Sequence, residues 1–396
     1  MNYEFSKKVQ PLKPSAIREI FKSLQDPTVI SLAAGNPSPE SFPVDAFAAL
    51  SSEIFKNEAS VALQYGITEG YKPLREKVSK RLAEKFSIGK DFDDTIITSG
   101  GQQGLELACK ILCNEGDTVL CENPSFIGAL NSFRSYGAKL VGVDTDSEGI
   151  IPESLEKAYS ENENVKMIYV IPTFQNPMGT TMSLARRKAL YEFCKEKGIM
   201  IVEDNPYGEL RFAGENVPAI KSFDTDGIVI YCGSFSKTLS SGMRVGFVCA
   251  PAEITQKMVV CKQVSDVHTN LFFQMLINKY LETYDFDAHV ERIRALYRRK
   301  CEIMIGELEK NMPSEVKFTR PEGGLFIWCT LPDSIDAKAF VKRCLENKVA
   351  VVVGNTFMAD PEAECHSFRL NYSTPTDEQI VEGVARVAAT VKEYLK

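Results

Sequence analysis

The chain has 396 residues, of which 44% are hydrophobic and 25% charged, the balance of a globular protein able to bury a large core. Its 46 basic and 53 acidic residues leave a net charge of −7. That excludes a general nucleic-acid binder and a polybasic membrane-surface protein, both of which need a basic footprint.

The N-terminal residues Met-Asn-Tyr-Glu-Phe-Ser-Lys-Lys carry no apolar run, and no stretch approaches the roughly 18 apolar residues of a membrane span. Eleven cysteines accompany only three histidines, His268, His289 and His366. Cys109 and Cys113 stand four apart, but no CxxC pair occurs, so the cysteines read as reduced, buried thiols of a cytoplasmic protein and no metal site is expected.

In chain order, 94–98 reads as a strand and 102–113 as a helix. Further strands are expected at 118–121, 166–171, 199–203 and 228–232, with helical patterns between them such as 184–197. This alternation indicates an α/β layer around a mainly parallel, buried sheet. A long amphipathic helix follows at 287–310. Strands at 316–319 and 325–329, a helix at 337–346, strands at 349–353 and 367–371 and a helix at 377–395 then form a smaller α+β domain. Arg292, Arg294, Arg298, Arg299 and Lys300 on the long helix, flanked by Glu291 and Glu302, read as a solvated face.

Ligands of open α/β sheets sit beyond the carboxyl ends of the strands, and four ends here are polar. Thr98-Ser99-Gly100-Gly101-Gln102 leads into a helix, where small residues let N–H groups approach an anion. Thr173-Phe174-Gln175-Asn176-Pro177-Met178-Gly179 carries a turn signal. Glu203-Asp204-Asn205-Pro206-Tyr207 places an Asp past a buried strand, either as a plain cap or turn former or as a buried carboxylate awaiting a cationic partner, since an unpaired buried charge is costly. Ser234-Phe235-Ser236-Lys237, with Arg244 beyond, offers hydroxyl and guanidinium donors to one phosphate; Lys237 reads as a further phosphate contact, as a surface residue or, if held between a phosphate site and a buried carboxylate, as an amine suited to Schiff-base chemistry. An anion cradle, a carboxylate, hydroxyl and amide donors and a lysine are together what pyridoxal 5'-phosphate requires.

Ser-Phe-Ser-Lys-Thr-Leu-x-x-Gly-Met-Arg-Val-Gly, at 234–246, resembles the lysine motif of the fold-type I, class I/II aminotransferases. Ile30-Ser31-Leu32-Ala33-Ala34-Gly35-Asn36-Pro37, Leu63-Gln64-Tyr65-Gly66, Gly70-Tyr71-Lys72-Pro73-Leu74-Arg75, Pro321-Glu322-Gly323-Gly324 and Phe368-Arg369-Leu370-Asn371 extend the likeness over almost the whole chain. Within the family the chain is most similar to the 2-aminoadipate/kynurenine/aromatic aminotransferase subgroup. The resemblance implies an aspartate aminotransferase-like α/β fold, with a mainly parallel seven-stranded sheet in a large domain and a smaller α+β domain. It divides the chain into an N-terminal segment at 1–45, a large cofactor-binding domain at 46–286, and a linking helix with the small domain at 287–396.

The resemblance also implies roles. Lys237 would link to the cofactor aldehyde and carry the substrate proton, and Asp204 would pair with the ring nitrogen. Asn176 and Tyr207 would bond the phenolic oxygen, and Phe126 would stack on the ring. Gly101, Gln102, Ser234, Ser236 and Arg244 would bind the phosphate, with Gly101 offering only its N–H. Tyr65 would reach the phosphate of the neighbouring subunit in a homodimer. Arg369 would hold the substrate α-carboxylate, assisted by Asn176 and the Gly35 backbone; Phe368 and Leu370 on either side place it on the opposite strand face. Arg18 would meet a second carboxylate. The expected activity is ping-pong transfer of an amino group from an L-amino acid to a 2-oxo acid such as 2-oxoglutarate. Alternatives are a β-lyase or cyclopropane-carboxylate synthase on the same scaffold, and a non-enzymatic effector-binding module; the last is disfavoured because the match begins near Lys13.

Overall fold

The computed structural model describes residues 3–6, 8–10 and 26–396. The strands in chain order are β1 (Ile30–Ser31), β2 (Asp93–Thr98), β3 (Thr118–Asn123), β4 (Lys139–Asp146), β5 (Gly149–Ile150), β6 (Val165–Val170), β7 (Met200–Asp204), β8 (Val229–Ser234), β9 (Gly246–Pro251), β10 (Lys317–Phe318), β11 (Phe326–Thr330), β12 (Val349–Ala350), β13 (Val352–Val353) and β14 (Ser367–Asn371).

Eight strands form the large sheet, in the order β2-β9-β8-β7-β6-β3-β4-β5. Strands β4, β3, β6, β7 and β8 run parallel, while β9 runs antiparallel to both its neighbours. The eighth member, beyond the seven expected, is the two-residue β5, which pairs antiparallel with β4. Apolar residues of β2, β3, β6, β7 and β8 are buried on both faces, as a sheet covered by helices requires.

The flanking helices carry their own stop signals. Ser183 caps Leu184–Lys197 by accepting from the Arg186 N–H, and Gly198, at φ +67°, ends it. Asp285 caps the long helix Phe286–Asn311, and Thr376 with Gln379 forms a capping box for Asp377–Tyr394. Helix Gly101–Leu112 lies close against the sheet because Gly104 has no Cβ, which would meet Val248 Cγ2 at 2.8 Å.

A second sheet, β10-β11-β14-β13, is antiparallel throughout. The expected strand at 349–353 is split. Val349–Ala350 pairs in parallel with β1, and Val352–Val353 with β14, so the N-terminal segment is stitched to the C-terminal part of the chain.

The basic run on the long helix is a solvated face in part: Arg292, Arg298 and Arg299 are exposed, Arg294 is half-buried and Lys300 is buried. Arg294 Nε donates to the Glu209 carbonyl at 2.7 Å and Arg298 Nε to the Phe212 carbonyl at 2.9 Å. Lys300 is buried and donates to the Pro375 carbonyl at 2.6 Å. These cations satisfy loop carbonyls, and the two arginines thereby tie the helix to the loop that follows β7. Arg299 remains half-exposed beside Asp377.

Candidate active site

The carboxyl ends of β2, β6, β7 and β8 open into one cavity of about 340 Å³, closed on the other side by Gly35, Phe326 and Arg369. It contains Gly101, Gln102, Phe126, Asn176, Asp204, Tyr207, Ser234, Ser236, Lys237 and Arg244.

At its floor Asp204, the last residue of β7, is buried. Its Oδ2 accepts the Tyr169 hydroxyl at 2.8 Å. Burial raises its pKa to about 7, against the opposing pull of that hydroxyl and of Lys237. A carboxylate so placed favours a cationic partner. Lys237 lies in the loop after β8, and its Nζ donates to the Gly35 carbonyl at 2.8 Å. Burial, then repulsion from Arg369 and Arg244, lowers its pKa to about 8.

The anion cradle lies beside them. Helix Gly101–Leu112 starts without a side-chain cap, leaving first-turn N–H groups for a ligand. Ser234 Oγ donates to Ser236 Oγ at 2.9 Å, and Arg244 Nη1 to Ser236 Oγ at 3.4 Å. Arg244 also donates to the carbonyls of Ser241 at 3.2 Å and Ser99 at 3.3 Å. Its backbone is left-handed at φ +55°, a conformation unusual for a residue with a Cβ. Gly100, at φ +80°, is required where it stands, because a Cβ there would collide with the Arg244 guanidinium.

On the opposite wall Arg369 is 1% exposed. Its Nη1 donates to Asn176 Oδ1 at 2.8 Å and its Nη2 to the Ala33 carbonyl at 2.7 Å. The guanidinium lies between Phe326 and Phe357, 4.2 and 4.8 Å from the ring centroids. Nε is buried without a hydrogen-bond partner among the described residues. Burial lowers its pKa to about 10, and the group stays charged at neutral pH. Asn176 Nδ2 donates to the Tyr207 hydroxyl at 3.3 Å, linking the carboxylate-binding and phenol-binding candidates. Burial pushes the Tyr207 hydroxyl well up, so it remains a donor.

Phe126 is partly buried, and its ring packs over Gly128, where a Cβ would overlap it; Gln102 Nε2 donates to the Gly128 carbonyl at 2.8 Å. Tyr65 is not part of this cavity. It is 79% exposed, its ring edge-on to His268 with centroids 5.8 Å apart. Arg18 lies outside the described residues. Sequence reasoning missed Tyr169, which does not line the cavity but donates to Asp204 from beneath it, although strand alternation puts its side chain on one face with Ile171, a cavity residue. It also missed Phe357, which carries no chemical signal in the sequence.

Residues 27–387 match the family model "Aminotransferase class I and II". An aromatic-amino-acid aminotransferase of Thermococcus litoralis is 40% identical over 100% of this chain and 96% of its own. A 2-aminoadipate transaminase of Thermus thermophilus is 39% identical over 99% of this chain and 97% of its own. Among solved structures, the Pyrococcus horikoshii kynurenine aminotransferase, in complex with PMP, superposes with a TM-score of 0.95 at 40% identity, covering 99% of this chain and 98% of that one. The alpha-aminoadipate aminotransferase of Thermus thermophilus, complexed with N-(5'-phosphopyridoxyl)-L-leucine, gives 0.90 at 37%, with the same coverage. With its matched motifs and its lysine, carboxylate and arginine gathered at the strand ends, the chain belongs to the class I and II aminotransferases.

Proposed function

We propose that this aminotransferase holds pyridoxal 5'-phosphate in the cavity and moves an amino group from an aromatic or aminoadipate-like L-amino acid to 2-oxoglutarate by a ping-pong sequence. The observation that carries the reading is one cavity in which Lys237, Asp204, the Ser234–Ser236–Arg244 donors and Arg369 converge. The residues fit the cofactor's groups: a buried carboxylate suits a ring cation, the donor set suits a phosphate, and the orphaned Nε of Arg369 suits a further anionic partner. When bound, the cofactor supplies an aldehyde and an electron-withdrawing ring.

The chain's residues would do the rest. Asp204 holds the charge of the ring nitrogen. Asn176 and Tyr207 hold the phenolic oxygen, and Phe126 lies against the ring. Gly101, Gln102, Ser234, Ser236 and Arg244 hold the phosphate. Arg369, oriented by Asn176 and supported by the Gly35 loop, fixes the α-carboxylate so that the α-proton faces Lys237 Nζ, which removes and returns it. Leu105, Ile171 and Phe326 give the cavity apolar wall, and relatives are named for aromatic, aminoadipate and kynurenine substrates. With 2-oxoglutarate present, each 2-oxo acid released should be matched by one glutamate. Release of ammonia, pyruvate or a thiol without an acceptor would instead identify a lyase.

Covalent capture of an aldehyde needs a neutral amine. Because the Lys237 pKa is lowered to about 8, uptake of pyridoxal phosphate by cofactor-free protein should rise roughly tenfold per pH unit below 8 and level off above it. A rate still climbing steeply at pH 10 would show an unshifted amine.

We also propose a homodimer in which Tyr65 completes the neighbour's phosphate site. Val61, Leu63, Tyr65 and Ile67 are 47–79% exposed, and Val264 is 78% exposed, an apolar surface of the kind that marks an interface. Sedimentation should give two chains per particle. Leu63→Asp should yield monomers that lose cofactor on dilution, and a monomeric wild type would overturn the proposal. The division at 1–45, 46–286 and 287–396 is supported by the two larger sheets, which lie within 93–251 and 317–371, and by the β1-β12 pair, which joins the N-terminal segment to the C-terminal part. A cytoplasmic setting accords with eleven free thiols.

A further inference from the structure

The turn that presents Gly100 and Gly101 to the cavity is anchored from outside by a closed polar network. Lys262, near the end of helix Ala252–Gln263, is 0% exposed and lines no part of the cavity. Its Nζ donates to Gln103 Oε1 at 2.6 Å, to both Asp266 oxygens at 2.9 Å and to Thr269 Oγ1 at 3.0 Å. Asp266 Oδ2 accepts Ser99 Oγ at 2.6 Å and Gln103 Nε2 at 2.8 Å. Gln103 Oε1 accepts the Ser99 main-chain N–H at 2.8 Å, and Ser99 Oγ lies 3.0 Å from Thr269 Oγ1. The Ser99 carbonyl accepts from Arg244 Nη2. Every branch of the network therefore ends on the residue that precedes the Gly100-Gly101 turn or on its hydrogen-bond partners.

A fully buried lysine is costly unless closely matched, and here it is matched by a carboxylate beside an anion site. Alone, the Asp266 charge, one hydrogen bond from Ser99, would repel a phosphate dianion in the adjoining cradle. Lys262 cancels that charge while Asp266 still fixes Ser99 and Gln103.

We propose that Lys262 neutralises Asp266 beside the phosphate site, so that the carboxylate anchoring Ser99 and Gln103 does not repel the dianion, an effect selective for the phosphate and not for the rest of the cofactor; this rests on the pyridoxal phosphate reading above. The test compares pyridoxal phosphate with pyridoxal, which lacks the phosphate, by titration of the cofactor-free full-length protein. Lys262→Met should weaken pyridoxal phosphate binding several-fold or more and leave pyridoxal within about twofold, because only the phosphate form meets the unpaired carboxylate. Adding Asp266→Asn to Lys262→Met should recover most of the loss, because the repelling charge is gone. Lys262→Gln, which also removes the cation but can still donate to a neighbouring oxygen, should show the same phosphate-selective loss and keeps the test open if the Met variant fails to fold; Asp266→Asn alone is not informative, because it strands the buried lysine.

Equal losses for both aldehydes, no loss for either, or a double variant weaker than Lys262→Met would overturn the pair's role. So would Lys262→Gln weakening both aldehydes equally. A wild type that takes up neither aldehyde would overturn the function proposed for the site, and the inference with it; the variant comparisons fail separately.

Discussion

Lys237→Ala abolishes turnover, by roughly 10⁴-fold or more, because it removes both the amine that captures the cofactor aldehyde and the base at the substrate α-carbon. The variant should fold. The Lys237 side chain lines a cavity, and among the described residues its amine has one hydrogen bond, to the Gly35 carbonyl. Removing an amine whose charged form is disfavoured by burial and by two arginines should leave the thermal midpoint unchanged or raised. Pyridoxal phosphate should still bind through Asp204 and the phosphate donors, but non-covalently, so that it washes out on gel filtration. Steady-state rates with the best donor, and cofactor retention after filtration, check this. Normal turnover would remove Lys237 from the chemistry.

Arg369→Ala should produce the second-largest loss. Its guanidinium is buried, held by Asn176 and the Ala33 carbonyl and flanked by two aromatic rings. A substrate carboxylate there would form a charge-assisted pair, and truncating one partner of such a buried pair costs about 4 kcal/mol, or roughly 10³-fold in kcat/KM. The loss should fall on amino acid and 2-oxo acid alike, since both carry the α-carboxylate, and should appear mainly in KM. Cofactor affinity should hardly change. Arg369→Lys should not rescue, because an ammonium cannot reproduce the planar fork or its stacking. Unchanged saturation kinetics with both substrates would place the carboxylate elsewhere.

Part of the chemistry was legible in the sequence because Asn176, Asp204 and Lys237 follow runs of buried apolar residues, and strand ends can be read locally; Arg244, ahead of β9, and Arg369, within β14, were read from their motifs instead. Asp204 after Met200–Glu203, and Lys237 after Val229–Ser234, needed only the rule that ligands sit beyond the carboxyl ends of parallel strands. What was not legible depends on distant partners. Arg294 and Arg298 look solvated until loops 85 and 86 residues away supply carbonyls. Lys262 meets Gln103 across 159 residues, and nothing local marks either one. Strand β4 was missed because Gly142 and two aspartates interrupt its apolar pattern, and β9 because it opens on glycine and closes on proline. Val349–Val353 reads as one strand, but its two halves pair with different neighbours.

The most direct test of the central claim is a half-reaction followed by visible absorption. Protein loaded with pyridoxal phosphate is given one L-amino acid at a time, with no acceptor present. The yellow band should bleach with aromatic or aminoadipate-like donors, releasing one 2-oxo acid per site, and return on adding 2-oxoglutarate. Bleaching without return, with ammonia released, would contradict transamination. The absence of any band would contradict the assignment of Lys237 as the cofactor's anchor.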